Sequence, residues 1–176
     1  LRRAVCRWKR RHLLRIGARD LLGKASIRQA GRELAWMTQA VVELALQHAR
    51  AECEERHGAP LAESEGAAGA APRPAAFAVY GMGKLGGEDL NFSSDIDLIF
   101  VYDEEGRTEG ALDPAGDRVN RVTNHEFFTR LGERLIAFLS EPSDEGILFR
   151  VDMRLRPEGK SGPLARSLGA YDAYFA

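Results

Sequence analysis

The chain has 176 residues, 25 Lys and Arg against 26 Asp and Glu, a net charge of -1 and 44% hydrophobic residues, enough for one globular core and unlike a disordered, collagen-like or silk-like chain. Near-neutrality excludes a general electrostatic pull toward nucleic acid or an anionic membrane. Cys6 and Cys53 lack zinc spacing and no apolar run approaches the ~20 residues of a bilayer span, so a disulfide scaffold and a membrane protein are excluded and a soluble, cytoplasmic protein is expected.

The charge is uneven: residues 1–32 hold eleven Lys or Arg against one acid, Asp20. This basic stretch carries Leu13, Leu14, Ile16, Leu21 and Leu22 and predicts a first helix stopped near Gly23. Ser26 and Gln29 form a capping box for a second helix, in which Ile27, Ala30, Leu34, Met37, Val41 and Leu44 recur on one face. Gly31 and the short run favour a core-facing helix over a coiled coil. Helical pattern ends near His57, so residues 1–57 are expected as a helical extension. Residues 58–76, with three Pro, three Gly and eight Ala, are expected as a flexible linker.

The remainder, residues 77–176, is expected as an α/β core. Phe77-Ala78-Val79-Tyr80 is a short strand, followed by the Gly-rich turn of residues 81–87 and then by the strongest strand pattern, residues 95–102. A polar loop covers residues 103–122. Thr123 and Glu126 cap a helix through Phe127, Phe128, Leu131, Leu135 and Leu139 that stops by Pro142, and residues 147–155 form a third strand. The order helix, helix, strand, strand, helix, strand, helix describes a small mixed domain. A start without Met and a stop at Ala176 inside a helical pattern lead us to expect a piece of a longer protein.

Three places carry chemistry. Gly81, Gly83 and Gly86 spell the dinucleotide-binding GxGxxG after a strand, but too few residues separate Gly87 from the next strand for the crossover helix that motif requires. Gly159-Lys160-Ser161 resembles the end of a P-loop, yet Arg154 stands where its first glycine belongs. Gly81, Gly83, Gly86 and Gly87 instead suit a loop whose backbone approaches phosphate oxygens, with Lys84 adding positive potential; the plainer reading is a tight turn. Asp95 and Asp97 lie two apart on a strand and point to one face, where paired carboxylates suit Mg²⁺ or Mn²⁺; a solvated strand start is the plainer reading. In Arg150-Val151-Asp152-Met153-Arg154-Leu155-Arg156, alternation puts Asp152, Arg154 and Arg156 on one strand face. Beside the Asp95 strand, Asp152 becomes a third metal ligand and the arginines face phosphates; surface ion pairing is the alternative.

A Gly-rich turn after a strand, an Asp-x-Asp on the next and a further Asp on a later one resemble the nucleotidyltransferase superfamily, which includes polymerase β and the poly(A) polymerases. Ten residues lie between Lys84 and Asp95, which fits that family's spacing, although Lys84 replaces its usual small residue. The longer strings, residues 81–87, Leu90-Asn91-Phe92-Ser93-Ser94-Asp95-Ile96-Asp97-Leu98-Ile99-Phe100 and residues 151–159, resemble the bacterial glutamine synthetase adenylyltransferases, also called adenylyl-removing enzymes. Members of that family carry two related nucleotidyltransferase domains. One removes AMP from a tyrosine of glutamine synthetase by phosphorolysis, giving ADP, and the other attaches it from ATP. Asn91-Phe92-Ser93-Ser94 and Gly162-Pro163-Leu164 resemble the removing domain more.

The resemblance implies a polymerase β-like fold and in-line displacement at the α-phosphorus with inorganic phosphate as nucleophile. Asp95, Asp97 and Asp152 would hold Mg²⁺ or Mn²⁺, Lys84, Arg154 and Arg156 would bind phosphate oxygens, and Gly81, Gly83, Gly86 and Gly87 would shape the loop. Ser93 or Ser94 would orient a phosphate or the acid pair, or cap the turn. Implied partners are glutamine synthetase and, through other parts of a longer multifunctional chain, a nitrogen-signalling regulatory protein. Attachment of AMP from ATP is the nearest rival; others are a nucleotidyltransferase acting on RNA or a small molecule, argued from the basic arm, and a binding module without catalysis.

Overall fold

The computed structural model describes residues 1–62 and 73–176, which form five helices and three small sheets, the mixed α and β composition expected. In chain order these are α1 (Arg2–Leu21), α2 (Ile27–His57), β1 (Pro60–Ala62), β2 (Arg73–Pro74), β3 (Phe77–Met82), α3 (Gly83–Gly86), β4 (Ile96–Tyr102), β5 (Gly106–Thr108), β6 (Ala111–Leu112), β7 (Arg118–Val119), α4 (Asn124–Ser140), β8 (Val151–Asp152), β9 (Ala165–Ser167) and α5 (Leu168–Phe175).

The turn from α1 to α2 passes through Gly23 at φ 65°, in the left-handed region. The expected capping box opens α2: Ser26 Oγ accepts from the Gln29 amide at 3.2 Å, and the Gln29 side chain accepts from the Ser26 amide at 2.8 Å. Ala30, Leu34, Met37 and Val41 are buried on the expected face, while Ile27, 83% exposed, and Leu44 fall outside it. Burial in α1 is narrower than its apolar content suggests. Ile16 is buried, but Leu14, Leu21 and Leu22 are exposed, because α1 is a surface helix that lays only one edge on the rest of the chain. Its cations meet acids of the same chain: Arg3 with Asp144, Arg7 and Arg10 with Glu145, Arg15 and Arg19 with Glu33.

The segment expected as a loose linker is structured at both ends. β1 pairs antiparallel with β2 and with β5, Pro60 and Ala62 are buried, and the buried Asn124 side chain donates to the Leu61 carbonyl at 2.9 Å. Small residues serve close approach here rather than flexibility: a Cβ on Gly58 would lie 2.4 Å from the Gly110 carbonyl oxygen. The middle of the expected linker, residues 63–72, lies outside the described residues.

β4 is the centre of the main sheet. β3 lies antiparallel on one side, and β8 and then β9 lie parallel on the other. Ile96, Leu98, Phe100 and Tyr102 are buried on one face, in one core with Phe127, Phe128, Leu131, Leu135 and Leu139 of α4. Each such side chain contributes roughly 1.5–3 kcal/mol by burial, which explains why this strand, with the densest apolar alternation, takes the middle. Asp97 and Ile99 occupy the opposite, half-exposed face. α4 opens on the Thr123 and Glu126 capping box and stops at Ser140, two residues before Pro142.

The third strand is far shorter than residues 147–155; only Val151 and Asp152 pair. The Arg154 amide donates to Asp152 Oδ1 at 2.8 Å, turning the backbone away from the sheet. Left-handed Glu158 (φ 62°) and Gly159 (φ 57°) then fold the loop back so that β9 can rejoin β4. The loop of residues 103–122 likewise contains β5, β6 and β7 rather than irregular chain alone.

Candidate functional site

The β3–β4 hairpin sets the site. Its register places Met82 opposite Asp97, and the glycine-rich turn between the strands is closed by the single-turn helix α3. An antiparallel pair joined by one helical turn rules out the crossover of a dinucleotide-binding unit. The glycines allow close approach. Gly83 has φ 53°, and a Cβ on it would lie 2.8 Å from Asp97 Oδ2; a Cβ on Gly86 would lie 2.4 Å from the Gly81 carbonyl oxygen. The turn therefore folds onto its own strand and rests against the Asp97 carboxylate. Lys84 and Gly87 are exposed on its outer side.

β8 brings the third acid. Asp97 and Asp152 are register partners on parallel strands, so their side chains share one face of the sheet. Asp95 lies just before β4, where the Arg150 guanidinium pairs with its carboxylate and donates to the Ser93 carbonyl at 2.8 Å. Ser94 Oγ accepts from the Asn91 amide at 3.3 Å and caps this turn.

Helices α1 and α2 support the acid-bearing loop from behind. A Cβ on Gly31 would lie 3.0 Å from Asp89 Oδ1, and one on Gly17 would lie 3.6 Å from the Phe92 ring. Arg32 pairs with Glu88 at 3.4 Å, and the Trp36 indole donates to the same carboxylate at 3.1 Å. The amino-terminal helices thus fix the position from which Asp95 and Asp97 emerge.

The two arginines expected to face phosphates are placed differently. Arg154 doubles back on Asp152, its Nε donating to Oδ2 at 2.7 Å and to Oδ1 at 3.0 Å. These bonds, with the Arg154 amide, hold the Asp152 carboxyl below its ordinary pKa. Asp152 in turn raises the Arg154 pKa, with smaller contributions from the charges of Asp97 and Asp95, so one guanidinium senses all three acids. Arg156 points elsewhere: it donates to the carbonyls of Met153 at 2.7 Å, Gly162 at 3.2 Å and Lys160 at 3.3 Å. It ties the loop together. The expected three residues along one strand face are not formed, because the strand ends at Asp152.

The acids suit a hard divalent cation by donor chemistry, since carboxylates in register on one face repel unless a cation lies between them. Among the described residues, however, no three His, Cys, Asp or Glu side chains are grouped so as to hold a metal ion. Arg150 pairs with Asp95 and Arg154 with Asp152, so two of the three carboxylates are engaged by guanidiniums. Arg150 is the residue that sequence reasoning passed over, although period-two alternation places it on the same side as Asp152.

The profile of the family described as glutamate-ammonia ligase adenylyltransferase matches residues 1–176. A Burkholderia pseudomallei protein named bifunctional glutamine synthetase adenylyltransferase/adenylyl-removing enzyme is 46% identical over 160 residues, 91% of this chain and 16% of that protein. Proteins of the same name from Ralstonia nicotianae and Pseudomonas aeruginosa are 42% and 43% identical, each over 99% of this chain and over 17% and 16% of their own lengths. The chain therefore spans about one sixth of the length of the curated relatives it matches. No helix among the described residues is long and apolar enough to cross a membrane.

Proposed function

The chain belongs to the glutamate-ammonia ligase adenylyltransferase family, and from that premise we propose that the start of β4 and the adjoining β8, which carry Asp95, Asp97 and Asp152, form a nucleotidyl-transfer centre that removes AMP from an adenylylated tyrosine of glutamine synthetase. The observation that carries the reading is the register of Asp97 with Asp152, beside a glycine turn that rests on Asp97. Likeness of Asn91-Phe92-Ser93-Ser94 and Gly162-Pro163-Leu164 to the removing domain supports the direction.

The reaction is a displacement at phosphorus. An oxygen of hydrogen phosphate bonds to the α-phosphorus, the bond from phosphorus to the tyrosyl oxygen breaks, and the proton of hydrogen phosphate ends on the tyrosine hydroxyl; the products are ADP and free tyrosine. Such transfers depend on positioning and charge neutralisation more than on a covalent nucleophile. Asp95, Asp97 and Asp152, which are not grouped for a metal ion in the structure, would have to draw together to hold Mg²⁺ or Mn²⁺, and a cation held there would neutralise phosphate charge. Lys84 extends from the glycine turn toward solvent and supplies positive charge for the incoming anion, while Arg156 acts indirectly by keeping the loop after β8 in shape.

The test is product analysis with adenylylated glutamine synthetase, with and without phosphate. ADP that appears only with phosphate supports removal. AMP transfer from ATP onto unmodified glutamine synthetase, with no phosphate-dependent ADP, would assign the opposite direction to this site.

A further inference from the structure

A cavity of about 170 Å³ lies behind the loop that delivers Asp95, where α1, α2, residues 90–94 and residues 147–150 meet. Its polar members are Lys9, Thr38, Asn91, Ser93, Ser94 and Arg150, its other walls are apolar, and among the described residues no acid lines it. Lys9 is the unusual member. It is half-buried, its ammonium donates to the Leu148 carbonyl and lies 4.3 Å from the centre of the Phe149 ring, so a dipole and a π face stand in for part of its water. Arg3, Arg7 and Arg10 of the same helix all meet carboxylates, whereas among the described residues no carboxylate pairs with Lys9. Burial pushes its pKa below the ordinary lysine value. A cation withdrawn from water without a counter-ion is costly to keep.

We propose that this cavity is a binding site for a small oxyanion, phosphate or a small carboxylate, held by the Lys9 ammonium and the Arg150 guanidinium, and that the bound anion fixes the loop carrying Asp95. An ammonium has three N–H groups, and the Leu148 carbonyl takes one. Arg150 uses Nε for Asp95 and Nη2 for the Ser93 carbonyl, which leaves Nη1 without a protein partner among the described residues. An anion can therefore be added while the Asp95 pair stays intact. The apolar walls keep the local dielectric low, which strengthens each of these contacts. Cavities of ~150 Å³ accept a benzene-sized ligand, so this one admits phosphate or a carboxylate of a few carbons and excludes a nucleotide. Arg150 then joins the anion to Asp95, and residues 90–94 are pinned between them. The binding site stands on this geometry alone; its effect on catalysis rests on the transfer reading proposed above.

The experiment titrates inorganic phosphate, and separately acetate, into the full chain at an ionic strength held constant with chloride, following the NMR shifts of the amides of residues 90–94 and of the Lys9 side chain. At least one of the two anions is expected to give saturable shifts at both places. Lys9→Gln, which keeps a donor for the Leu148 carbonyl but removes the charge, is expected to weaken that binding about tenfold or more, as the loss of one charge-assisted hydrogen bond implies. Lys9→Arg should retain most of it. Circular dichroism verifies folding, and Lys9→Met carries the test if Lys9→Gln does not fold. Tighter binding of phosphate names phosphate as the ligand and tighter binding of acetate names a carboxylate; either result supports the site. Amide hydrogen exchange at residues 91–96 should slow severalfold on saturation of wild type and not of Lys9→Gln. No saturable shift with either anion, or binding as tight in a folded, uncharged Lys9 variant, overturns the site, and exchange unchanged on saturation overturns its hold on the loop. Saturable binding in a wild type that releases no ADP from adenylylated glutamine synthetase would overturn the transfer reading and leave the cavity site standing, whereas phosphate-dependent ADP release without saturable binding here overturns the cavity site alone.

Discussion

Gly83 shows how closely single residues are set against the acids. Its φ of 53° strains any residue with a Cβ, and that Cβ would meet Asp97 Oδ2 at 2.8 Å. Strain of this kind costs about 1–2 kcal/mol, and the carboxylate would also have to move. Gly83→Ala should therefore lower stability by about that amount while reducing activity at least tenfold, read by thermal melting and by ADP release; an unimpaired enzyme would show that the turn need not touch Asp97. Asp103 carries a different expectation. Burial pushes its carboxyl up, but the Arg73 side chain and the amides of Glu104 and Ala76 outweigh burial and hold its pKa below the ordinary value. A carboxyl with a depressed folded pKa stabilises fully above its unfolded value of about 4 and loses that contribution as pH falls through the folded value. The melting difference between wild type and Asp103→Asn should thus be largest near neutral pH and shrink toward pH 3. The placement of Asp97 on the half-exposed face of β4 was legible from sequence, because period-two alternation with the buried Ile96 and Leu98 fixes it. The partners of Arg154 and Arg156 were not, since they depend on where β8 stops.

At the scale of elements, the capping boxes carried reliable information. Ser26 with Gln29 and Thr123 with Glu126 both close as their sequences predict, because a cap is a local bargain between side chain and orphan amides. Thr123→Ala should cost about 1 kcal/mol in a denaturant melt, and a loss well below that would mean that packing of Phe127 and Phe128 alone fixes the start of α4. Gly132 tests the other end of that contact: a Cβ there would lie 2.7 Å from the Phe100 ring, inside a closely packed core. Gly132→Ala is expected to destabilise by about 1–3 kcal/mol through overpacking, offset by only ~1 kcal/mol of helix propensity. Elements that failed to match their patterns did so for long-range reasons. Alternation at residues 147–155 is real, but the Asp152 side chain captures the Arg154 amide and ends the ladder. Pro60–Ala62 reads as linker, yet β5 lies beside it and supplies a partner that no local pattern reveals.

Over the whole molecule, the amino-terminal helices are part of the site's foundation. The core is continuous from Val5 and Ile16 through α2 to β4 and α4, and the loop of residues 88–92 rests on Gly17 and Gly31. The basic arm that gave the argument for an RNA substrate pairs with acids of its own chain at Glu33, Asp144 and Glu145. The arginines of these pairs are exposed, and such pairs are worth roughly 0–1 kcal/mol each, so raising salt should lower the melting temperature only slightly, and no RNA affinity with a steep salt slope is expected. The fold class and the acid positions followed from patterns within one segment, whereas the ion pairs across the site join residues as distant as Asp95 and Arg150 and required the assembled sheet. The measurement that bears most directly on the carboxylate edge as the reaction centre is the paired assay of Asp97→Asn, with folding by circular dichroism and phosphate-dependent ADP release from adenylylated glutamine synthetase recorded on the same sample. The account predicts a native spectrum and melt with ADP release abolished. A folded Asp97→Asn variant that still releases ADP at the wild-type rate would contradict it.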